Sequence, residues 1–205
     1  MRKAIFVRLG RKKKRIIMLT DIFEKDTLLE TSRLRLRKIT TADTQDIFEI
    51  FSDRQVMKYY DLLPFESIQR AREQAEFFEK SFEDKTMLRW GLELKESCKL
   101  IGTCGIFNFN ESALKAELGY ELGSAYQSAG LMSEALSAAL EFIFKNCGIN
   151  RIEAYVEPQN VTSQKLLEKL GFTKEGTLRQ YERCRGELID ICIYGLLRSD
   201  YTSRT

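Results

Sequence analysis

A chain of 205 residues, 43% apolar and 31% charged, has the size and make-up of one α/β domain with a substantial core, and no apolar run in it reaches membrane-spanning length. It contains no histidine, which excludes Ser-His-Asp and Cys-His nucleophilic sites, histidine-containing zinc sites and a histidine base, and leaves proton transfer to Glu, Asp, Tyr, Lys or water. The net charge of +3 hides a split: Arg2, Lys3, Arg8, Arg11, Lys12, Lys13, Lys14 and Arg15 precede Met18 with no acid among them, so the remainder carries five more acids than bases.

Residues 1–28 therefore read as a basic N-terminal extension, either a loosely ordered arm or a stretch upstream of a start at Met18. Contact of this arm with RNA, the ribosome or an anionic membrane is the weaker reading, and nucleic acid is disfavoured as a partner. The arm lacks the long apolar core and small-residue cleavage site of a secretory signal. Five cysteines, Cys98, Cys104, Cys147, Cys184 and Cys192, form no close pair, which fits reduced thiols in the cytoplasm. Most read as core filler, with Cys184 in a turn the one to watch for reactivity.

From Leu29 onward a single domain is expected to run to residue 205. Leu34 to Ile39 alternates apolar and basic residues as a strand does, and Thr40, Thr41 and Asp43 then offer helix-start chemistry ahead of Ile47, Ile50 and Phe51. Ser67 can cap a second helix with Ala71, Ala75, Phe78 and Phe82 on its inner side. Met87–Leu94 and Leu100–Phe107 read as hairpin strands, and Ala116–Leu122 as a further strand. A third helix spans about Gly130 to Asn146, a strand Arg151 to Val156, and a fourth helix Val161 to Leu170. The hairpin of Thr173–Gln180 and Leu188–Leu197 closes the pattern.

Two of these strand-to-helix junctions carry chemistry. In the first, Gln127-Ser128-Ala129-Gly130-Leu131-Met132-Ser133 opens the third helix. The first N–H groups of a helix lack internal partners and the helix dipole adds positive potential, so the junction is a seat for an anion such as phosphate. Gly130 permits close backbone approach, and Gln127 and Ser128 add side-chain donors; simple capping is the plainer alternative. In the second, Pro158 ends a strand, Asn160 is a good N-cap, and Leu166, Leu167 and Leu170 form an apolar stripe that Gly171 terminates.

In order, these segments resemble the GCN5-related N-acetyltransferases, in particular the branch of ribosomal-protein N-terminal acetyltransferases. Gln127-x-x-Gly130-x-Met132 is similar to the family's (Gln/Arg)-x-x-Gly-x-(Gly/Ala) loop, and Asn160-x-x-Ser163 with Leu167-Glu168-Lys169-Leu170-Gly171-Phe172 to its second motif. Leu100-Ile101-Gly102, Ala116-Glu117-Leu118-Gly119-Tyr120 and Gly176-Thr177-Leu178-Arg179 extend the match over roughly Leu29 to Leu197. Met132 departs from the loop pattern, so its side chain must point away from a bound pyrophosphate or the loop is shifted.

The resemblance implies a mixed, mostly antiparallel twisted sheet of about seven strands flanked by about four helices, with a splayed parallel strand pair holding acetyl-CoA. It further implies that Tyr120, Leu122, Gln127, Ser128, Gly130, Met132, Ser133, Asn160 and Ser163 bind the cofactor, with the pyrophosphate on the loop amides and the pantetheine along exposed strand backbone. No metal is needed. Many members carry a tyrosine acid at the position of Leu167, so that route is closed here. The branch instead implies Ser163 beside the cofactor sulfur and Glu182 as base, with Glu117, Glu121 or water as competitors and Tyr155 nearby. The implied acceptor is a protein N-terminal amine, which also implies ribosome association; a polyamine or antibiotic amine is the alternative, a CoA-binding module without turnover a second, and homodimers occur among relatives. The segments 59–65 and 107–114 are expected to select the acceptor.

Overall fold

In the computed structural model, which describes residues 19–25 and 27–202, alternation builds the sheet. The basic run between Arg2 and Arg15 lies outside the described residues. The strands are β1 (Leu29–Glu30), β2 (Leu34–Lys38), β3 (Met87–Leu94), β4 (Lys99–Asn110), β5 (Lys115–Leu122), β6 (Arg151–Val156), β7 (Thr173–Cys184) and β8 (Glu187–Leu197). Their order is β1-β2-β3-β4-β5-β6-β8-β7, with only β5 and β6 parallel. The strand beyond the sequence expectation is β1, whose two residues are too few for a periodic signal.

The helices are α1 (Thr44–Ser52), α2 (Ile68–Glu83), α3 (Leu131–Asn146), α4 (Val161–Leu170) and a short α5 (Arg198–Thr202) that no pattern announced. On one sheet face Leu88, Trp90 and Leu92 join Leu136, Ala139, Leu140 and Ile143 of α3 and Leu167 of α4. On the other, Ile47, Ile50 and Phe51 of α1 and Ala71, Ala75 and Phe78 of α2 enclose Ile39 and Leu100. Ile22 and Phe23, in a 3-10 turn at Leu19–Glu24, also pack into the first cluster.

Local chemistry sets the helix ends that matter. Gly130, at φ 78°, turns the chain into α3 in the left-handed region, where a side chain is strained. The Asn160 side chain caps α4 by accepting from the Ser163 amide at 3.2 Å. Gly171, at φ 98°, closes α4, with Gly171 N–H donating to Glu168 and Phe172 N–H to Leu167, each at 3.0 Å.

The central irregularity is the parallel pair. β5 meets β6 only at Lys115↔Arg151, Ala116↔Ile152 and Glu117↔Glu153. Beyond Glu117, β5 stays paired with β4 as far as Leu122, and β6 stays with β8 as far as Val156, so the sheet opens between them.

Two sequence expectations change. β7 runs four residues beyond Gln180, so Glu182 and Cys184 belong to a strand and the turn falls at Arg185 and Gly186. Cys184 is 4% exposed, its thiol donating to the Tyr60 carbonyl at 3.7 Å, and burial raises its pKa; it is not an exposed reactive thiol. Glu121, a competitor for the base, is also buried: its carboxylate is ion-paired with Arg89 and bonded to Thr103, while Arg89 lies over the Phe78 ring with its Nε 2.7 Å from Thr103 Oγ1. A carboxylate so engaged cannot collect a proton from substrate. Glu121→Ala leaves a buried guanidinium without its counter-charge, and urea unfolding should show a loss of about 3–5 kcal/mol.

Candidate functional site

The gap between β5 and β6 is where the candidate residues converge. Gly123 N–H donates to the Ile101 carbonyl on the β4 side, so alternation turns the backbone groups of Leu122 and Tyr120 toward the gap. Gln127 Nε2 donates to the Leu122 carbonyl at 3.0 Å, so this side chain closes the top of the gap. Tyr120 keeps its backbone groups directed inward, as an extended pantetheine arm requires.

At the entrance of α3, Ser128 and Gly130 both have positive φ, which folds the loop so that the first-turn amides open outward. Met132 is 7% exposed and packs in the core, so its departure from the small-residue pattern leaves the loop face clear. What Met132 can offer a ligand is its backbone alone. Ser133 follows on the first turn.

An acid at this anion seat needs an explanation. Glu134 receives Thr31 Oγ1 at 2.5 Å, Ser32 Oγ at 2.9 Å, and the Arg33 amide and Nε at 2.9 and 2.8 Å. Arg33 also donates to the Ala129 carbonyl at 2.9 Å. Burial alone would raise the Glu134 pKa; the bonds from Thr31, Arg33 and Ser32 outweigh it and hold the carboxyl down at about 2. The charge that would oppose a phosphate is thus neutralised, and the loop is tied to the segment before β2. Sequence reading missed this clamp because its halves lie about a hundred positions apart, although Thr31-Ser32-Arg33 just ahead of an alternating strand was the available signal.

Across the gap, Tyr120 Oη and Ser163 Oγ are 2.7 Å apart, and burial pushes the Tyr120 phenol up to about 12. Asn160 and Ser163 occupy the start of α4. Leu167 is fully buried, so that position supplies packing only.

The opposite sheet face is acidic. Glu182 on β7, although exposed at its surface, has a pKa raised first by partial loss of water around its carboxyl and then by Asp61, Glu157 and Glu117. Tyr155 stacks on Tyr181 with ring centroids 6.1 Å apart, and its hydroxyl donates to Glu153 at 3.2 Å. One wall is the connection between α1 and α2. Tyr59 Oη donates to the Gln159 carbonyl at 3.2 Å, Arg185 donates to the Lys58 carbonyl and reaches Glu157 at 2.9 Å, and the Tyr60 phenol, its pKa raised by burial and by the nearby Glu121, stands on the same wall. The segment 59–65 thus stands beside Glu182. The turn after β4 instead lies at the closed end of the parallel pair, where the Leu114 carbonyl accepts from the Asn150 amide at 2.7 Å. Among the described residues no cluster of metal-ligating side chains exists, and no helix is long and apolar enough to cross a membrane.

A parallel strand pair that opens after three residues, with two helix starts facing the opening, is met by one decisive comparison: residues 33–173 match the acetyltransferase (GNAT) domain. The chain is a GNAT acetyltransferase. It is 38% identical to the uncharacterized N-acetyltransferase p20 of Bacillus licheniformis over 173 residues, covering 84% of this chain and 97% of that one. It is 35% identical to the [ribosomal protein uS5]-alanine N-acetyltransferase of Escherichia coli over 114 residues, covering 55% of this chain and 59% of the relative. The structure of spermidine N-acetyltransferase from Vibrio cholerae in complex with CoA and spermine superposes with a TM-score of 0.73 at 26% identity, covering 84% of this chain and 99% of that one.

GNAT enzymes use acetyl-CoA, and this one is an N-acetyltransferase with the mixed sheet of that fold. The inward-facing backbone at Tyr120 and the outward amides of α3 fit an extended thioester carrying a pyrophosphate. The GNAT clamp on α3 also has a consequence for pH. Because the folded Glu134 pKa lies below its ordinary value of 4.5, its stabilising contribution is complete above that pH and is lost as pH falls toward about 2. Glu134→Gln should therefore be less stable at neutral pH, with a flatter loss of stability below pH 4.5, measured by denaturant titration at stepped pH.

Proposed function

We propose that this GNAT enzyme transfers the acetyl group of acetyl-CoA to a protein N-terminal amine by direct attack in a ternary complex. The observation carrying the proposal is the opposition of Ser163 and Glu182 on the two faces of the opened sheet, one at the start of α4 and the other among carboxylates on β7. Acetyl-CoA brings an acyl group already activated as a thioester, so no covalent enzyme intermediate is required.

The chain's residues then divide the work. The outward amides of the loop 127–133 hold the pyrophosphate, with Gly130 allowing close approach and Ser128 and Ser133 adding donors. Asn160 fixes the start of α4 while lying at its cofactor-facing end, and Tyr120 and Leu122 line the pantetheine path. Ser163 directs a hydroxyl at the departing sulfur. Glu182 takes the amine proton, directly or through water, with its raised pKa bringing it nearer the basicity the task needs. An α-amine of pKa about 8 is neutral roughly one time in ten at pH 7, so a carboxylate suffices as base.

The uS5-alanine relative supports the N-terminal acceptor and, with it, a ribosomal substrate. The acidic surroundings of Glu182 favour a second reading, a polyamine, in line with the name of the Vibrio cholerae structure. The odd, widely spaced cysteines support a cytoplasmic setting. Thiol release with acetyl-CoA and either an alanine-starting basic peptide or spermidine separates the readings. A higher kcat/KM for the peptide upholds the proposal, and a preference for spermidine of about tenfold or more moves the acceptor to the polyamine class.

Glu182→Gln should lower kcat by about a hundredfold while leaving CoA affinity unchanged. The sign of the pH effect follows from the base having to be ionised. Amine protonation makes log kcat/KM fall with unit slope below neutrality, and protonation of Glu182 steepens the fall at a pH above that of an ordinary glutamate. Asp61→Asn removes a neighbouring negative charge and should move that second break to lower pH, and Glu182→Gln should lack it.

A further inference from the structure

We propose that Tyr120 is a positioning residue for the transfer: its phenol donates to Ser163 Oγ and thereby aims the serine's single proton at the cofactor sulfur. This rests on the reading of Ser163 given above. Tyr120 Oη lies 2.7 Å from Ser163 Oγ, and among the described residues it is the hydrogen-bond partner of that hydroxyl. Each hydroxyl owns one proton, while the serine oxygen has two acceptor sites. The direction of the bond therefore decides what Ser163 can do next. Should the serine donate to the tyrosine, it would have nothing left for sulfur; should the tyrosine donate, the serine proton is free.

Acidity selects the second arrangement. A phenol is a far stronger acid than an aliphatic hydroxyl and so the better donor, and with its pKa pushed up to about 12 by burial it keeps that proton throughout the neutral range. A hydroxyl that accepts one hydrogen bond also donates a stronger one, so the pair polarises in the direction of the gap. The geometry is held from two sides. Tyr120 is fixed in β5 by pairing with Cys104, and Ser163 in α4 by its amide bond to Asn160 Oδ1 at 3.2 Å. Asn160 thus orients Ser163 through the backbone while Tyr120 orients it through the hydroxyl.

The step balances without a net proton transfer along this pair. As the C–N bond forms, Glu182 takes the amine proton. As the C–S bond breaks, its electron pair stays on sulfur, where the Ser163 proton stabilises the negative charge without leaving oxygen. Glu182 then releases the proton it took to solvent water, and solvent protonates the thiolate to the thiol product. Tyr120 and Ser163 end in the protonation states in which they began.

The decisive measurement is the pKa of the CoA thiol in its complex with the protein, followed by ultraviolet difference absorbance of the thiolate for wild type, Tyr120→Phe, Ser163→Ala and the double variant. In the wild type the bound thiol should titrate below free CoA. Tyr120→Phe should raise it by about one unit, and Ser163→Ala and the double variant should raise it no further in combination than the larger single effect. Turnover should fall about tenfold in Tyr120→Phe with the KM for acetyl-CoA unchanged, whereas a packing role alone would lower the melting temperature without moving the thiol titration. A thiol pKa that Ser163→Ala shifts and Tyr120→Phe does not would overturn the role of Tyr120 and leave the function proposed for Ser163 intact. Identical titrations in all four proteins would remove both, and failure of the wild type to bind CoA would remove the cofactor site itself.

Discussion

The pairing of β5 with β6 ends after Glu117↔Glu153, and the rest of the molecule is arranged around that interruption. Strand backbone groups ordinarily find partners in a neighbouring strand, and leaving them without one is costly once they are removed from water. Here β4 holds β5 straight through Leu122 and β8 holds β6 through Val156, so neither strand can relax toward the other. The opening is therefore a property of the whole sheet and not of a loose edge. A ligand with an extended amide-bearing arm satisfies the groups that the missing strand would have met.

The two faces of the opening differ in electrostatics, and the difference follows from which ends of which elements arrive there. On one face the start of α3 brings outward amides, and α3 and α4 together bring the positive ends of two helix dipoles. On the other, Glu117 from β5, Glu157 after β6, Asp61 from the α1–α2 connection and Glu182 from β7 accumulate negative charge. In the proposed reaction this charge pattern sorts the anionic cofactor and the basic amine to opposite sides, with the reacting atoms meeting where the strands separate. The acid that would blur this sorting, Glu134, is neutralised by the Thr31–Arg33 segment, while near the acidic face Glu121 is spent on Arg89 and Glu153 on Lys115 and Arg151.

Glu117 and Glu121 illustrate the limit of pattern reading. They sit four positions apart in one strand and share a face, so alternation treats them alike. Their fates diverge because Arg89 happens to lie two strands away beneath α2, whereas Glu117 remains among the carboxylates beside the opening. Cys184 makes the same point: a hairpin that continues four residues past its apolar alternation carries it from an expected turn into a buried strand position against Tyr60. The Tyr120–Ser163 contact joins residues 43 positions apart and had no trace in spacing.

Features that depend on neighbours along the chain were legible in the residues alone. The Leu34–Lys38 alternation, the stripe of α4, the cap at Asn160 and the glycines at 130 and 171 dictate local conformation through sterics and short-range hydrogen bonds, and their order was enough to resemble the family. The absence of histidine likewise restricted the chemistry before any fold was known. Folding in three dimensions was needed to set which carboxylates are spent on ion pairs and which face the opening, to turn Met132 into the core, and to bring Arg33 against Glu134. Those outcomes turn on burial and on pairing between distant segments, and a side chain's ionisation and reach are set by the groups the fold brings against it.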